Sequence, residues 1–402
     1  MTTCQGMKFL ARSLLYQDLE IKMKKSLIAI AVLGASAGFA HAQSSVTLFG
    51  IVDAGITYTN NYGGHSNWQA TSSNEQGSRW GLRIVEDLGG GLKAISQLEN
   101  GYNVMNGTLG QGGRMFGRQA WVGLSSNYGT LTLGRQYNAM QDTLEPLQVA
   151  TSTTLTQYAT HPLDNDNIDN TYRTNNTVKF VSAIYGGLQA EATYAFSNST
   201  SFAVNRSYSV GATYSLGTLN LGAAYVRLTN PAFNRDTAGA VASDNYYSLS
   251  TVPFLATADV VQQWGAGGTY GIGKATVGLM YTAAVFQNPI SGSLFSGATG
   301  SGGGAGSVRF SNLEGTFRYF IAPDLQATIG ETYTHATQGN GSGNYWQTNA
   351  GVQYFLSKRT DVYFNAVYQK TSDHLHAWIS GIGAPSTTDT QVAAVAGIRH
   401  KF

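Results

Sequence analysis

The sequence predicts an all-β fold, a 16-stranded antiparallel transmembrane β-barrel with short turns at one rim, long loops at the other and an inward-folded third long loop. Segment after segment alternates apolar with small or polar residues at a period of two, which is typical of strands with two different faces. The connections alternate between tight turns and long loops. Only 11% of the residues are charged, and no stretch after residue 42 holds 18 consecutive apolar residues. Strands rather than helices would therefore have to cross a membrane.

The N-terminal residues have the composition of a secretory signal. A basic start, Met23-Lys24-Lys25, precedes the apolar run Leu27–Phe39, and Ala40-His41-Ala42 has the form of a signal-peptidase site. The apolar run of about 14 residues is too short for the alternative, a membrane anchor. We therefore expect a Sec signal peptide that is cleaved between Ala42 and Gln43. The predicted division of the chain is residues 1–22 as an over-long start, 23–42 as signal peptide and 43–402 as barrel.

Removal of this leader changes the charge balance. Five basic and two acidic residues leave with it, so 19 basic and 20 acidic residues remain, a formal net charge of −1. This balance gives no reason to expect a nucleic-acid partner. The single cysteine, Cys4, is also removed, so we expect the mature chain to be stable without disulfides.

The segment that follows Ser78 shows how the two faces of a strand are distinguished. Trp80, Leu82 and Ile84 share one face, and Arg79 and Arg83 share the other. A β-sandwich gives the same alternation, but the second face of most segments is small and polar, which favours a wet lumen. The predicted strands are residues 46–58, 76–86, 91–103, 113–126, 129–137, 172–184, 187–197, 206–216, 218–229, 259–271, 274–287, 306–320, 324–337, 344–356, 360–372 and 390–402.

The connections favour a barrel over a sandwich. An even number of strands places both chain ends at the rim of the tight turns, which is the periplasmic rim in outer-membrane barrels. Sixteen strands leave a water-filled channel. The tight turns are predicted at 87–90, 127–128, 186, 217, 273, 323 and 357–359, and the long loops at 59–75, 104–112, 138–171, 198–205, 230–258, 288–305, 338–343 and 373–389.

The connection at about 137–172 is unusually long. It has about 36 residues without a regular period, and loops of this length inside a compact domain are usually functional. Its charged residues are acidic, and it contains no Lys or Arg. We predict that it folds into the barrel and forms a constriction, with Leu144-Glu145-Pro146 ending any short helix in its first part. The acids are Asp142, Glu145, Asp164, Asp166 and Asp169.

Stretches that resemble a known family run through the whole chain after residue 42. They are Ser45–Ile56, Ser78–Arg83, Glu86–Ile95, Arg118–Ser125, Gly129–Gln136, Arg173–Val178 and Gly397–Phe402. In these stretches the chain resembles the general diffusion porins of beta-proteobacteria, the Neisseria/Burkholderia type of Gram-negative outer-membrane porin. The resemblance implies a homotrimer of 16-stranded barrels, a third external loop inside the lumen, and a C-terminal Phe402 read by the barrel-assembly machinery. The chain departs from the family pattern at Ile84-Val85, where a Gly and a small residue are expected.

Basic residues are predicted to form a wall of the lumen opposite the acidic loop. Most lie on the strand face opposite the apolar residues, and a charge facing lipid near the midplane would cost ~2–4 kcal/mol. Two placements are less direct. Arg118 is placed mainly by the resemblance, and Arg135 shares the face of Leu131 and Leu133 unless its strand twists or bulges. The predicted wall comprises Arg79, Arg83, Arg118, Arg135, Arg173 and Lys179.

A basic wall opposite an acidic loop would create a transverse field across a narrow wet gap. Side-chain charges in such a gap tune the ion preference of a channel. The alternative is that the arginines only form salt bridges that hold the loop in place. The arginines favour anion selectivity, but five loop acids could cancel it, so the residues alone leave its sign open.

Other motifs give weaker signals. Gly268–Lys274 approaches a phosphate-binding loop, but Ala275 stands where that loop needs Ser or Thr. His374 and His376 are two candidate metal ligands without a third nearby. We therefore expect no metal and no cofactor.

The leading functional hypothesis is an outer-membrane porin, a passive water-filled channel for ions and small hydrophilic solutes. The alternatives are a substrate-selective channel, a barrel enzyme and an adhesin. An enzyme would need a clustered catalytic set, whereas His161, His335 and His400 occur at unrelated places in the sequence. The expected partners are outer-membrane lipid, lipopolysaccharide, the assembly machinery and the permeating solutes.

Overall fold

The computed structural model describes residues 44–148, 155–169, 171–231, 239–241, 257–289, 294, 306–372 and 375–402. The over-long start 1–22, the signal peptide 23–42, its cleavage site at Ala42 and Gln43, and His374 lie outside the described residues, as do most of the predicted loops 230–258 and 288–305. Among the described helices, none has the length and apolar character needed to cross a membrane.

Seventeen strand segments and one short α-helix build the described part of the chain. The helix α1 is Ala139–Leu144, between β6 and β7. The strands are β1 Ser45–Tyr62, β2 His65–Ser72, β3 Arg79–Gly89, β4 Leu92–Gly101, β5 Gln119–Ser126, β6 Gly129–Gln136, β7 Thr174–Ser182, β8 Leu188–Ala195, β9 Arg206–Leu216, β10 Leu219–Thr229, β11 Val260–Ile272, β12 Ala275–Gln287, β13 Val308–Ala322, β14 Leu325–Gln338, β15 Gly341–Phe355, β16 Thr360–Thr371 and β17 Thr390–Lys401.

These segments form one closed antiparallel barrel. From β3 to β17 each segment pairs with the next in sequence, and β1 closes the sheet by pairing with β17 from Ile51 opposite Lys401 to Thr59 opposite Ala393. Both β2 and β3 pair with β1, so together they occupy one strand position of the barrel. The predicted 16-stranded antiparallel barrel is therefore confirmed. The rim with both chain ends and the tight turns is called the short-turn rim below, and the opposite rim the long-loop rim.

The second barrel position differs from the prediction. A long loop was expected at 59–75, but β1 continues to Tyr62 and turns back at Gly63 and Gly64, whose φ angles of 62° and 101° favour glycine. Residues Ser73–Ser78, called the inner segment below, then leave the sheet before β3 begins.

The inner segment is held inside the barrel by a buried carboxylate. Asp53 of β1 accepts hydrogen bonds from the backbone N–H groups of Asn74 at 3.2 Å and of Glu75 and Gln76 at 2.8 Å. Because the inner segment has this fixed shape and is not a strand, its sequence does not alternate, and the sequence pattern therefore predicted a loop there.

A smaller difference concerns the start of β5. The strand was predicted from residue 113 but begins at Gln119, because Gln111–Gly113 form a 3-10 turn in the preceding loop. At β9 the predicted and observed bounds agree, because apolar and polar residues alternate there without interruption.

Alternation along the strands separates an apolar outer surface from a polar lumen. In β13, Leu313, Phe317 and Tyr319 are exposed on the outside, whereas Asn312 and Glu314 point inward and are buried. The same rule applies around the sheet, so register assigns each strand residue to the outer surface or the lumen.

The long loop between β6 and β7 lies inside the barrel, and much of the buried apolar core is formed between it and the wall. Helix α1 begins at Ala139 and is capped by Asn138, whose side chain accepts from Met140 N at 3.0 Å; it ends at Leu144, directly before Glu145-Pro146. Further along, Leu155 and Tyr158 pack with residues of β16 and β17. The loop thus crosses the lumen from one wall to another.

Three glycines allow α1 and the turn after it to approach the wall closely. A Cβ at Gly211 would lie 2.4 Å from Thr143 Oγ1, one at Gly222 would lie 2.9 Å from Leu147 Cδ1, and one at Gly265 would lie 3.1 Å from Leu144 Cδ1. Gly211, Gly222 and Gly265 lie on the neighbouring strands β9, β10 and β11, and they are called the glycine seat below. Glycine in a strand interior often marks such a close approach.

Candidate functional site

A cavity of about 940 Å³ lies between the barrel wall, the inner segment and the long loop. It brings together residues that are distant in sequence and carries both signs of charge. Its charged lining residues are Arg79, Arg118 and Arg173 from the wall, Glu75 from the inner segment, and Glu145, Asp164 and Asp169 from the loop.

The three arginines occupy equivalent places at the ends of strands. Arg79 is the first residue of β3, Arg118 directly precedes β5, and Arg173 directly precedes β7. All three strands run from the long-loop rim towards the short-turn rim, so the three side chains reach the lumen at a similar depth. This placement explains how residues 94 positions apart in sequence share one cavity.

Glu99 and Tyr137 connect the arginines. Arg118 Nε donates to Glu99 Oε1 at 2.6 Å, and Arg79 Nη1 lies 3.5 Å from the same oxygen. Arg118 Nη2 also donates to Tyr137 Oη at 2.9 Å, and Arg173 Cζ lies 5.5 Å from the centre of that ring. Glu99 thus holds the guanidinium groups of Arg79 and Arg118 together, and Tyr137 contacts those of Arg118 and Arg173.

The loop acids that face the cluster lie in an environment that disfavours their charge. Burial raises the pKa of Glu145 from its ordinary value. Burial and then the charge of Asp166 raise the pKa of Asp164 to about 7. Burial and the neighbouring Asp164 raise the pKa of Asp169 well above its ordinary value. Near neutral pH the acidic side of the cavity therefore carries less charge than its residue count indicates, whereas arginine stays protonated.

Asp164 also shapes the return of the loop. Its carboxylate accepts from the backbone N–H groups of Asp169 at 3.0 Å and Thr171 at 2.9 Å, and from the Thr171 hydroxyl. The loop acid closest to neutral titration is thus held in a fixed position at the cavity surface.

Asp166 lies away from the cavity, in a buried ion cluster with His161 and Glu314. His161 Nδ1 lies 2.6 Å from Asp166 Oδ2, and His161 Nε2 lies 3.3 Å from Glu314 Oε2 of β13. Burial alone would lower the pKa of His161, but Asp166 and Glu314 outweigh it and raise the pKa to about 10. This cluster, called the loop pin below, attaches the loop to the wall on the side away from the arginines.

Asp142 and Lys179 also lie outside the arginine cavity. Lys179 pairs with Asp142 of α1, and its Nζ lies 3.5 Å from Glu191 Oε1 of β8. These residues line a smaller cavity of about 250 Å³ beside the helix. The structure therefore does not place Lys179 in a common wall with the arginines.

Arg83 and Arg135 are placed differently from each other and from the cluster. Arg83 faces the lumen four residues closer to the short-turn rim, with its Cζ 5.3 Å from the Phe49 ring. Arg135 lies at the bulge on which its inward placement depended, yet it pairs with Ala120 in the outward row and donates to Gly117 O at 2.8 Å and to the Asn175 side chain. It is not among the residues that line the arginine cavity.

Sequence reasoning missed the residues that support the cluster. Glu75, Glu99 and Arg399 were not selected, although Arg399 Nη1 lies 3.1 Å from Glu75 Oε2 and also binds Asp361 of β16. Glu99 stood in the inward row of its strand, so its charge was a usable signal. Glu75 had no such signal, because the inner segment has no strand period. In the described part of the chain, no group of three His, Cys, Asp or Glu residues has the geometry of a metal site.

Comparison with known proteins identifies the family of this barrel. The model of the Gram-negative porin family matches residues 29–374. The chain belongs to the Gram-negative porins. It is 31% identical to an outer membrane porin protein of Bordetella pertussis over 94% of this chain and all of the relative.

Solved porin structures share the fold. The anion-selective porin from Comamonas acidovorans superimposes with a TM-score of 0.70 at 23% identity, covering 90% of this chain and all of that chain. The trimer form of OmpT from Vibrio cholerae gives a TM-score of 0.62 at 15% identity, covering 89% of this chain and 99% of that one. These porins show the same closed barrel.

The family settles the broad function of the chain. This porin is an outer-membrane channel of a Gram-negative bacterium through which small solutes pass. It is a passive channel, so the barrel-enzyme alternative is set aside.

Proposed function

We propose that Arg79, Arg118 and Arg173 form the selective constriction of this channel and make it prefer anions. The observation that carries the proposal is the cavity itself, in which three guanidinium groups face carboxyl groups whose pKa values are raised. A permeating anion meets a positive wall and a loop of reduced negative charge. Side-chain charges at a narrow point decide the ion preference of a pore.

The same arginines also hold the loop. Arg118 donates to Tyr137 at the start of the loop, and the Arg173 guanidinium lies over the Tyr137 ring. We infer that the same arginine cluster both attaches the loop to the wall and determines the ion preference of the channel. An anion that enters the cavity would meet guanidinium groups already fixed by Glu99 and Tyr137, with little reorganisation.

The lining of the cavity favours small hydrophilic solutes in general over one particular sugar or nucleoside. Hydroxyl and amide groups such as Thr71, Ser72 and Gln141 surround the charges, and the aromatic members of the lining are Tyr102 and Tyr158. A substrate-selective channel would present a row of aromatic side chains along the path. We therefore propose passage of inorganic anions and small polar solutes.

We also propose that the chain is exported through the Sec pathway, cleaved between Ala42 and Gln43, and assembled as a homotrimer among outer-membrane lipid and lipopolysaccharide. Residues 1–22 would not be part of the exported precursor. Phe402 would serve as the signal for the barrel-assembly machinery. Its backbone exchanges two hydrogen bonds of 3.0 Å with Gly50, so it is the residue that completes the closure of the sheet.

Recording in planar bilayers under a salt gradient tests the constriction. A charge about 10 Å from an ion in water changes its energy by about 0.4 kcal/mol, about a factor of two. Because a fixed charge shifts the energies of an anion and a cation in opposite directions, each lost charge changes the anion-to-cation permeability ratio about four-fold, and the triple variant Arg79→Gln, Arg118→Gln, Arg173→Gln should lower it by about 60-fold. Arg359→Gln removes the same kind of charge at the short-turn rim, in the exposed turn between β15 and β16, and should change the ratio little. An unchanged ratio in the triple variant, with open channels still recorded, would contradict the assignment.

A further inference from the structure

The last of the long connections, between β16 and β17, also turns into the barrel. Its described part, residues 375–389, is called the last loop below. Ala377, Ile379 and Ile382 are buried. Ile379 and Ile382 belong to one apolar cluster with inner-row residues of β16 and β17 such as Val367. The sequence predicted a long loop at these positions, but its entry into the lumen is visible only in three dimensions.

Three glutamines attach the last loop to the wall. Gln347, Gln369 and Gln391 lie in the inner rows of β15, β16 and β17, opposite one another in register, and all three are fully buried. They are called the glutamine ladder below. Gln369 Oε1 accepts from Trp378 N at 2.6 Å, and Gln391 Oε1 accepts from Ile379 N at 2.8 Å. Two consecutive backbone N–H groups of the last loop are thus bound by two neighbouring strands.

The amide nitrogens of the ladder extend it to the long loop. Gln369 Nε2 donates to Gln347 Oε1 at 2.9 Å, and Gln347 Nε2 donates to Thr160 O of the long loop at 3.0 Å. Gln391 Nε2 donates to Ala384 O, further along the last loop, at 3.1 Å. Every amide oxygen and nitrogen of the ladder therefore has a partner, and the ladder joins both loops to the same part of the wall.

The last loop also contacts the long loop directly and reaches the arginine cavity. Ser380 Oγ donates to His161 O at 3.0 Å, and a Cβ at Gly381 would lie 3.0 Å from Tyr158 Cδ1. Ser380 and Gly381 both line the arginine cavity. Because these two residues carry no charge, they affect the size of the passage rather than its field.

We propose that the glutamine ladder positions the last loop as a fourth side of the constriction, beside the wall, the inner segment and the long loop, and thereby sets the largest solute that the channel admits. The inference rests on the proposed constriction at the arginine cavity and adds positioning residues that act through the two loops. A buried amide network with every partner in place fixes one arrangement, because any other leaves buried polar groups without partners. Release of the last loop would withdraw Ser380 and Gly381 and widen the cavity.

Exclusion of poly(ethylene glycol) of graded chain length in planar bilayers tests the proposal. Polymers that enter a channel lower its conductance, whereas excluded polymers do not. The variant Gln369→Leu with Gln391→Leu keeps side chains of similar size but removes the acceptors of Trp378 N and Ile379 N. This loss should disfavour the inward position of the last loop about 30-fold or more. Longer polymers should then enter than in wild type, and the conductance without polymer should rise.

A second variant removes the last loop instead of its attachment. Thr371 N donates to Asp389 O at 2.7 Å, so the two strand ends are adjacent and a short turn can join them. Replacement of residues 375–386 by Gly-Gly should shift the exclusion limit in the same direction as the double glutamine variant. Gln326→Leu is the matched control, because Gln326 is a buried glutamine in the inner row of β14 near the short-turn rim. It should keep the exclusion limit of wild type.

A wild-type exclusion limit in both loop variants would overturn the proposal, and so would an equal shift in Gln326→Leu. A ladder that served only the stability of the barrel would lower the temperature of unfolding and leave the exclusion limit unchanged. The anion-to-cation permeability ratio of the triple arginine variant is a separate measurement. Failure of the arginine constriction is therefore distinguishable from failure of the glutamine ladder.

Discussion

Asp164 shows how a single residue can set the charge of the constriction. Burial and the nearby Asp166 raise the pKa of its carboxyl to about 7, although hydrogen bonds from Thr171 and the backbone of Asp169 favour the ionised form. The folded protein therefore binds this proton more tightly than the unfolded chain does. Ionisation costs stability as pH rises between the ordinary value near 4 and about 7, and the loop gains negative charge over the same range.

The first consequence at this scale is a pH-dependent ion preference. As pH falls from 8.5 to 5.5, Asp164 becomes neutral, and this neutralisation should raise the anion-to-cation permeability ratio by about a factor of four, because it shifts anion and cation in opposite directions. Reversal potentials in planar bilayers at several pH values measure it. Asp164→Asn should remove the change near pH 7 and leave that of Glu75, whose pKa burial raises to about 8 at the same cavity. Asp142→Asn, outside the arginine cavity, should keep the change near pH 7. A variant Asp164→Asn that still titrates near 7 would show that another group is responsible.

Individual residues also show where the alternation of a strand predicts which side chains face the lumen and where it does not. Alternation assigns Arg79 to the inner face of its strand, which is regular from that residue onward, and Arg79 lines the cavity. Arg135 lies at a bulge, and bulges change facing without leaving a period to read. Asp166 and Asp169 stand three residues apart in one loop, yet Asp169 lines the cavity and Asp166 binds His161. Without a repeat, sequence could name the loop acids but not sort them.

Two attachments of the long loop, besides its contacts with the arginine cluster and Lys179, can be tested separately. One is the loop pin of His161, Asp166 and Glu314, where the pKa of the imidazole is raised to about 10 and that of Asp166 is lowered. A raised histidine pKa contributes stability that is complete below about 6.5 and is lost as pH rises through 10; a lowered Asp pKa contributes stability that is lost in acid. The pin is therefore strongest across the neutral range.

Removal of the imidazole should loosen the loop. His161→Leu leaves Asp166 and Glu314 buried without their cation, at a cost of about 3 kcal/mol. We expect lower thermal stability and more current noise in single-channel records at pH 7. Wild type should approach the noise of the variant above pH 10. His335→Leu on the outer surface is the matched control and should show no increase in current noise. Equal noise in both variants would argue against the loop pin as an attachment of the loop.

The second attachment is the glycine seat. Gly222→Val places methyl groups where Leu147 and the Thr143 carbonyl now lie, and overpacking of this kind costs about 1–3 kcal/mol. The helix should shift into the lumen and lower single-channel conductance. Ala223→Val adds similar volume at the next, outward-facing residue and should leave conductance unchanged. Normal conductance in Gly222→Val would mean that the wall, rather than the helix, yields.

The strands were largely predictable where apolar residues on one face alternate regularly with small or polar residues on the other. Strand β9 was placed without error, since apolar residues alternate with small or polar residues along its whole length. The prediction was wrong at the second barrel position, because the inner segment there is shaped by the distant Asp53 rather than by local sequence. The glycine seat had a sequence signal, glycines inside strands, but its partner was visible only in three dimensions.

At the scale of the whole molecule, closure depends on the last residue. Phe402 pairs with Gly50, and a Cβ at Gly50 would lie 2.3 Å from Phe402 Cζ. The aromatic ring therefore covers a place on the outside of β1 that only glycine leaves open. The chain ends are joined by packing as well as by hydrogen bonds.

Substitutions at this junction should weaken the entire barrel. Gly50→Leu displaces the ring, and Phe402→Ala removes it, with an expected loss of about 1–2 kcal/mol for a half-exposed aromatic side chain. The measurement is the temperature at which refolded protein changes its electrophoretic mobility from the folded to the unfolded form. The control is Ile398→Ala, in the same outward row. It should lower the stability of the barrel less than the double variant Phe402→Ala with Gly50→Leu does. Identical transitions in all variants would show that closure is carried by the backbone alone.

The inner segment gives the molecule a freedom that the loop alone would not provide. It enters and leaves the sheet between Ser72, opposite Ala54, and Arg79, opposite Ile51, so its length is not tied to the register of any other strand. Insertions or deletions there would alter the cross-section of the passage while the barrel keeps its diameter. Related channels can therefore diverge in permeability at two unconnected places in the gene, by changing the loop after β6 or by changing six residues within a single strand position.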